Sequence, residues 1–450
     1  MSVTIVLFTR DLRVHDNPAL AAACRRGSDV VPLFVLDDGI TSGAFNAPNR
    51  AAFLAAALQE LDDELRRRGG RLVLRRGDVI DEAARVVAET DAAELHIADD
   101  VSAYSRRREG RLRERLASLD CNLVVHAGST TVADPSELTP STGRDHFAVF
   151  TPYFRRWQEI PRRKPIAPPT RIDVPAVSGA SLPRADATCP GAASPQLMVG
   201  GERSGRALLT RWLRRSVQDY DERSDDLAGD MTSHLSPYLH FGCLSATEIL
   251  DRLDLSDSGA QAFARQLCWR DFHHQVLAAR PDAATVDYRP RGISWATDDL
   301  VFKSWCEGRT GYPIVDAGMR QLLTQGWMHG RARLIAASFL AKTLRIDWRL
   351  GAAHFERWLV DGDIANNRMN WQWAAGTGTD TRPNRVLNPL RQAERFDPLG
   401  DYVRRWVPEL AHLEGKSIHR PWRHGVPHSV YPPPMHSAGG ESQPTLDLFS

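Results

Sequence analysis

The chain has no paired cysteines. Its six, Cys24, Cys121, Cys189, Cys243, Cys268 and Cys306, are scattered without a CxxC spacing. That argues against a zinc site, so no metal is expected, and against a disulfide framework; it suits a reducing cytoplasm. No stretch approaches the roughly 18 consecutive apolar residues of a membrane helix. The N-terminus, MSVTIVLFTRD, has neither a basic region before its apolar run nor a small-residue cleavage site, so it reads as a buried first strand and not a signal peptide. Net charge is nearly absent: 57 basic and 56 acidic residues leave +1, and a nucleic-acid partner would need a local basic patch. The turn after the first strand is Thr9-Arg10-Asp11-Leu12-Arg13. It is not GxGxxG, which argues against a nicotinamide enzyme. Tryptophan is missing from the first 156 residues, and all twelve lie at position 157 or later.

At 450 residues the chain is expected to hold two or three cores. Residues 1–130 alternate short apolar runs with helical patterns, the signature of a doubly wound parallel α/β sheet. Strands are expected at Val3–Phe8, Val30–Leu36, Arg71–Arg75, Glu94–Ala98 and Asn122–His126. Helices are expected at Pro18–Arg26, opened by Asn17 and Pro18, and at Arg50–Arg68, Val79–Glu89 and Arg106–Leu119. Residues 131–201 form a connector, with eight prolines between 161 and 195, and read as a spacer. Residues 202–425 read as an all-α unit with helices over Arg203–Arg223, Ala262–Arg280 and Arg331–Leu344. The concentration of tryptophan there places the main ligand site in this unit. Residues 426–450, rich in Pro, His and Ser, read as a flexible tail.

Three segments carry chemistry. The first, DMTSHLSPYLHFG over 230–242, puts the hydroxyls of Thr232, Ser233 and Ser236 before Pro237, which can open a helix. Free N–H groups and hydroxyls there would cradle a phosphate or pyrophosphate, or simply cap the helix. The second is GWMHGRARL over 326–334, followed by Asp347-Trp348-Arg349. The third, DGDIANNRMNWQW over 361–373, mixes acids, amides and tryptophans as a planar polar heterocycle would require.

Together with Trp269-Arg-Asp-Phe272, Glu307-Gly-Arg-Thr-Gly-Tyr-Pro-Ile-Val-Asp-Ala317 and Phe8-Thr-Arg-Asp-Leu-Arg-Val-His-Asp-Asn-Pro18, these segments closely resemble the photolyase/cryptochrome flavoproteins, in the same order over residues 1–430. The resemblance implies an antenna-binding α/β domain joined to a helical FAD domain, and most resembles bacterial photolyases for cyclobutane pyrimidine dimers. In those enzymes excited reduced FAD passes an electron to the dimer, the cyclobutane ring opens, and the electron returns. The resemblance implies UV-damaged DNA as partner and a monomer. It implies that Tyr220 and the segment Thr232, Ser233, His234, Leu235, Ser236 hold the FAD phosphates. Many relatives have Arg at the position of His234, and both side chains donate. Arg333 and Asp361 match the ion pair beside the flavin, Asp363 a hydrogen-bond partner of its ring or ribityl chain, and Asn367 the residue facing N5. Trp371, Trp348 and Trp295 match the electron relay. Trp269 and Trp373 match the aromatic pair around a flipped-out dimer, and Arg331, Arg385 and Gln392 the grip on the DNA backbone. Phe34, Arg50 and Asp100 look most like members with a second, 8-hydroxy-5-deazaflavin antenna; methenyltetrahydrofolate is the other choice.

The pocket departs from the pattern at three places. Dimer-repairing relatives commonly have Glu where this chain has Gln266, Asn where it has Gly330, and Met where it has Leu334. Gln266 still hydrogen-bonds but carries no charge, Gly330 removes an amide, and Leu334 conserves volume. Two further readings therefore stand beside dimer repair: a cryptochrome-like light sensor, and a photolyase for another lesion such as the (6-4) photoproduct, whose enzymes carry a His pair where this chain offers only His329.

Overall fold

Short apolar runs in the first 130 residues form a parallel sheet in a computed structural model of the protein, which describes residues 3–25, 29–43 and 45–435. The strands are β1 (Val3–Leu7), β2 (Asp29–Asp37), β3 (Val73–Gly77), β4 (Glu94–Ala98) and β5 (Asn122–His126), in the order β3-β2-β1-β4-β5. Every pairing is parallel. Alternation decides what each face meets: Ile5, Leu7, Val31 and Leu33 join one buried cluster, while Val6, Phe8, Val30 and Phe34 join another. Both faces are covered, as parallel sheets require.

Around the sheet lie α1 (Pro18–Cys24), α2 (Pro48–Arg66), α3 (Val79–Thr90) and α4 (Ala103–Ala117). Asn17 caps α1 by accepting from Leu20 N at 3.0 Å, with Pro18 at the first turn. The third strand begins at Val73, two residues after the expected Arg71. Leu72 N is held by Asp62 Oδ1 at 2.8 Å in the turn that leaves α2, and pairing with β2 runs on to Gly77. Arg26, the expected end of α1, lies outside the described residues.

The connector is more than a spacer. Residues 150–159 form α5 (Phe150–Glu159), in which Tyr153 and Trp157 are buried. Trp157 Nε1 donates to Asp271 Oδ2 at 2.9 Å, and Gln275 bonds both the N–H and the carbonyl of Phe147. The proline-rich stretch that follows carries only the four-residue helical turn Ala185–Thr188 among the described elements.

The helical unit supplies α6 (Glu202–Arg215), α7 (Ser236–His240), α8 (Ser258–Ala279), α9 (Gly330–Ser338), α10 (Trp348–Trp358) and α11 (Ile364–Ala375). The expected helix Arg203–Arg223 stops at Arg215. The carbonyls of Val217 and Gln218 press against Gly259 of α8, where a Cβ would lie 2.1 Å from an oxygen. The expected helix Arg331–Leu344 is α9 followed by a π-helical turn, Phe339–Thr343. The expected tail does not begin at 426: Tyr431 is 2% exposed and its hydroxyl donates to Asp316, and Met435 N donates to Thr310 O at 2.9 Å. Residues 436–450 lie outside the described residues.

The strand order reverses between β1 and β4, the point where open α/β sheets usually take a ligand. Here it receives the helical unit. Arg10, just past β1, pairs with Asp100 past β4 (3.4 Å) and with Asp363 at the start of α11 (2.5 Å). Gly242 closes the same contact. It has φ +67°, and a Cβ would lie 1.8 Å from Arg10 O, so only glycine lets the two backbones approach.

Candidate functional site

A cleft of about 450 Å3 in the helical unit gathers residues from segments far apart in sequence. Tyr220 and all five residues Thr232, Ser233, His234, Leu235 and Ser236 line one end. Arg333, Asp361, Asp363 and Asn367 line the other, with Trp371 beside them. The order follows from the helices: α7, α9 and α11 each bring their first turn to the cleft.

The pyrophosphate-like end has a feature the sequence did not disclose. Asp230 gathers two of the expected donors, Thr232 Oγ1 at 3.1 Å and His234 Nε2 at 2.8 Å. His234 has φ +53° and stacks on Trp327 with ring centroids 3.9 Å apart. Trp327 Nε1 in turn donates to Ser236 Oγ at 3.3 Å. The free donors at this end are therefore fewer than the sequence implies.

At the other end Arg333 and Asp361 form an ion pair at 2.9 Å, and Arg333 Nε holds Met328 O at 2.8 Å. Asp363 caps α11, accepting from Asn366 N at 2.8 Å. Burial alone would raise its pKa. His274, Arg10, His240 and Arg270 overcome that and hold it well below the carboxylate range. Asn367 donates its amide hydrogens to Ala352 O (3.0 Å) and Glu356 Oε1 (3.2 Å), which leaves its carbonyl oxygen without a partner among the described residues.

Trp371 is 2% exposed and touches Phe355 and Trp305, with ring centroids 5.0 and 5.9 Å away. It also lies against Gly351 of α10, whose first residue is Trp348. Trp348 is fully buried and donates to Asp287 at 2.9 Å. Trp295 is half-buried next to Ala296, which pairs with Ile346 two residues before Trp348. Of the three, Trp371 lines the cleft, Trp348 is fully buried and Trp295 is half-buried.

The departures from the family pattern, Gln266, Gly330 and Leu334, all line the same cleft. A Cβ on Gly330 would meet nothing within 4 Å, so the missing amide leaves open space. Trp269 and Trp373 are half-buried and do not line this cleft. Trp269 lies flat on Phe150 of the connector, 3.6 Å away at 3°, a partner with no signal in the sequence. Arg385 is exposed and lies over the Trp373 ring at 5.7 Å. Gln392 has a buried, unpartnered Oε1. Arg331 is no free cation: both ends of its guanidinium are held by Asp225, at 3.1 and 2.5 Å, and it covers Phe396 at 4.4 Å.

Phe34, Arg50 and Asp100 each have protein partners of their own. Phe34 packs in the sheet face, and Asp100 holds Arg10, Ser102 N and Ser105 Oγ. Arg50 lies over Phe45 at 4.3 Å and donates to the carbonyls of Phe45, Glu356 and Leu359. It fastens the two units together.

The cleft suits FAD on one test made within the structure. His329 accepts from Arg331 N on Nδ1 at 3.1 Å, so Nε2 bears the hydrogen, and that atom is buried without a partner. Burial pushes this histidine down to about 4, so it is neutral near pH 7. Arg270 likewise keeps a buried Nη2 unpaired. Such orphaned donors are costly unless a ligand satisfies them. No cluster of metal-binding side chains, and no helix long and apolar enough to cross a membrane, occurs among the described residues.

Comparison with known proteins agrees. The family described as the FAD binding domain of DNA photolyase matches residues 263–449, and DNA photolyase matches residues 4–171. The deoxyribodipyrimidine photo-lyase of Streptomyces griseus is 57% identical over 424 residues, covering 94% of this chain and 93% of that one. A bacterial class III photolyase from Agrobacterium tumefaciens superposes with a TM-score of 0.91 at 33% identity, over 98% of this chain and 95% of that one. An archaeal photolyase from Sulfolobus tokodaii, solved with two FAD molecules, gives 0.84 at 33% identity, over 97% and 96%. With its cleft and its sheet described and 94% of its length matched to such a relative, the chain belongs to the FAD-binding DNA photolyase family.

Proposed function

We propose that this protein is a deoxyribodipyrimidine photo-lyase that repairs UV-damaged DNA by splitting cyclobutane pyrimidine dimers under blue light. One observation carries the reading. The two acids, the three asparagines and Trp371 of the DGDIANNRMNWQW segment line a single cleft with the Thr232–Ser236 rim, in a chain 57% identical to a deoxyribodipyrimidine photo-lyase.

FAD, when bound, supplies the light-excited electron. The protein supplies the rest. Tyr220, Ser233 and Ser236 with the adjacent backbone hold the phosphate end. The ion pair of Arg333 with Asp361 and the ionised Asp363 fix the ring end, and Asn367 presents its free carbonyl oxygen there. Trp371, Trp348 and Trp295 connect the cleft wall to solvent and replace an electron lost from the site. The aromatic faces of Trp269 and Trp373, on their supports Phe150 and Arg385, receive the extruded bases. Gln266 offers a neutral amide to a base carbonyl. Arg385 and Gln392 contact the backbone, and Arg331 contributes only when it leaves Asp225.

A second, light-harvesting chromophore is part of this reading. With Arg50 committed to carbonyls, a deazaflavin rests on Phe34 and Asp100 alone.

The test uses purified protein with FAD fully reduced and an oligonucleotide carrying one thymine dimer, under blue light and in darkness. Recovery of intact thymines in the light only is the expected result. No recovery with reduced flavin confirmed by absorbance would overturn the repair reading.

A further inference from the structure

A second cleft of about 630 Å3 opens between the α/β unit and α6. One wall holds His15 and Glu64, and the other is a stripe of α6 bearing Arg203, Arg206, Arg211, Arg214 and Arg215. Nothing in the repair site uses these residues.

The acids here are already spent. Glu202 accepts from Val14 N (2.8 Å), His15 N (3.1 Å) and His15 Nδ1 (2.8 Å). Glu64 is held by Arg67 and Arg68, and Glu248 by Arg206 through both oxygens. Glu60 caps the start of α6, accepting from Arg203 N at 2.9 Å and Ser204 Oγ at 3.2 Å. Arg211, Arg214 and Arg215 have no carboxylate partner among the described residues. Part of their charge complements the C-terminal end of α6, where cations are favoured. That end effect does not reach Arg203, a full three turns back, nor does it explain a concave wall. Like charges at i and i+4 repel, as Arg211 and Arg215 do, and a bound anion removes that repulsion.

We propose that this cleft binds an oligophosphate: a soluble ligand with two or more adjacent phosphates, held by Arg211, Arg214 and Arg215. Guanidinium forks match phosphate oxygens in pairs, and the volume is that of a small-molecule site. No Phe, Tyr or Trp lines the cleft, and His15 is held by Glu202, so recognition falls on the phosphates, and a nucleoside attached to them adds nothing. Binding to the folded chain raises the melting temperature.

The experiment uses FAD-saturated protein, so that the pyrophosphate end of the flavin cleft is filled. Sodium tripolyphosphate is titrated by calorimetry and by thermal unfolding, with ATP as a second probe. One site per chain is expected, with ATP binding no tighter than tripolyphosphate and affinity falling as salt rises. The triple variant Arg211→Gln, Arg214→Gln, Arg215→Gln should bind roughly a hundredfold more weakly, the loss of about two charge-assisted contacts. These side chains are exposed, so the variant should keep its flavin spectrum and its photoreduction rate. Absence of binding to the wild-type protein overturns the proposal. So does undiminished binding to the variant, which would put the anion elsewhere. A variant that loses affinity for damaged DNA, while wild-type protein ignores tripolyphosphate, makes the patch a DNA contact and overturns it as well.

Discussion

The helical unit and the α/β unit were both expected to hold a chromophore, and they treat their expected residues differently. In the cleft of the helical unit, Thr232–Ser236, Arg333, Asp361, Asp363 and Asn367 converge. In the α/β unit, Phe34, Arg50 and Asp100 each have protein partners of their own. The cleft residues sit in contiguous segments at helix starts, where backbone geometry fixes their direction. The residues of the α/β unit are single side chains with other partners in reach. Arg50 finds the carbonyls of Glu356 and Leu359 at the C-terminal end of α10, where unpaired carbonyls attract cations. The lesson is that a segment carries its own geometry and an isolated arginine does not.

The sharpest way to break this contrast is at its shared residue. Asp363→Ala leaves His240 and His274 facing no carboxylate, and Arg10 with Asp100 alone, in a buried setting. It should cost about 3–5 kcal/mol and release FAD. Thermal unfolding with flavin absorbance checks it; an unshifted melting temperature would show that the cluster is not what joins the units. Trp371→Phe should keep the flavin and slow its photoreduction by roughly a hundredfold, about 2.7 kcal/mol of barrier. A wild-type photoreduction rate would end the relay assignment.

Arg50→Met separates the two roles of that residue. As a staple between units its loss should cost about 1.5–3 kcal/mol, the range for hydrogen bonds to a charged group, measured by denaturant unfolding. A variant of full stability that loses only a second chromophore would restore the antenna reading.

Acid should weaken the structure. Burial pushes His126, His273, His274, His329 and His354 each down to about 4. An unfolded histidine titrates near 6.5, so the unfolded chain binds more protons between those values. This contribution is full above about 6.5 and is lost as pH falls toward 4. Asp99, pushed up to about 7, and Asp271 and Asp397, pushed up to about 6, act with the opposite sign, favouring the fold at low pH and losing that as pH rises. The five histidines outweigh the three carboxyls, so melting temperature should drop from pH 6.5 to 4. A flat profile by circular dichroism would contradict the burial of these histidines. The smallest effect is expected for Gly330→Asn, which fills open space and returns an amide to the pocket. Dimer repair should rise a few-fold with unchanged stability, and a fall in repair would mean that the space itself is used by the lesion.

The sequence by itself determined the sheet, because short apolar runs separated by helical patterns suit parallel strands buried on both faces. It also determined which segments build the cleft, because their residue order matches a family whose cleft they form. Tertiary structure alone decided the partners. Asp225 takes Arg331, Phe150 lies under Trp269, and Tyr431 anchors a segment that composition marks as tail. These are contacts between residues up to 119 positions apart, as for Phe150 and Trp269. A charged or aromatic side chain binds whichever complementary group the fold brings within a few ångströms, and no local pattern records that choice.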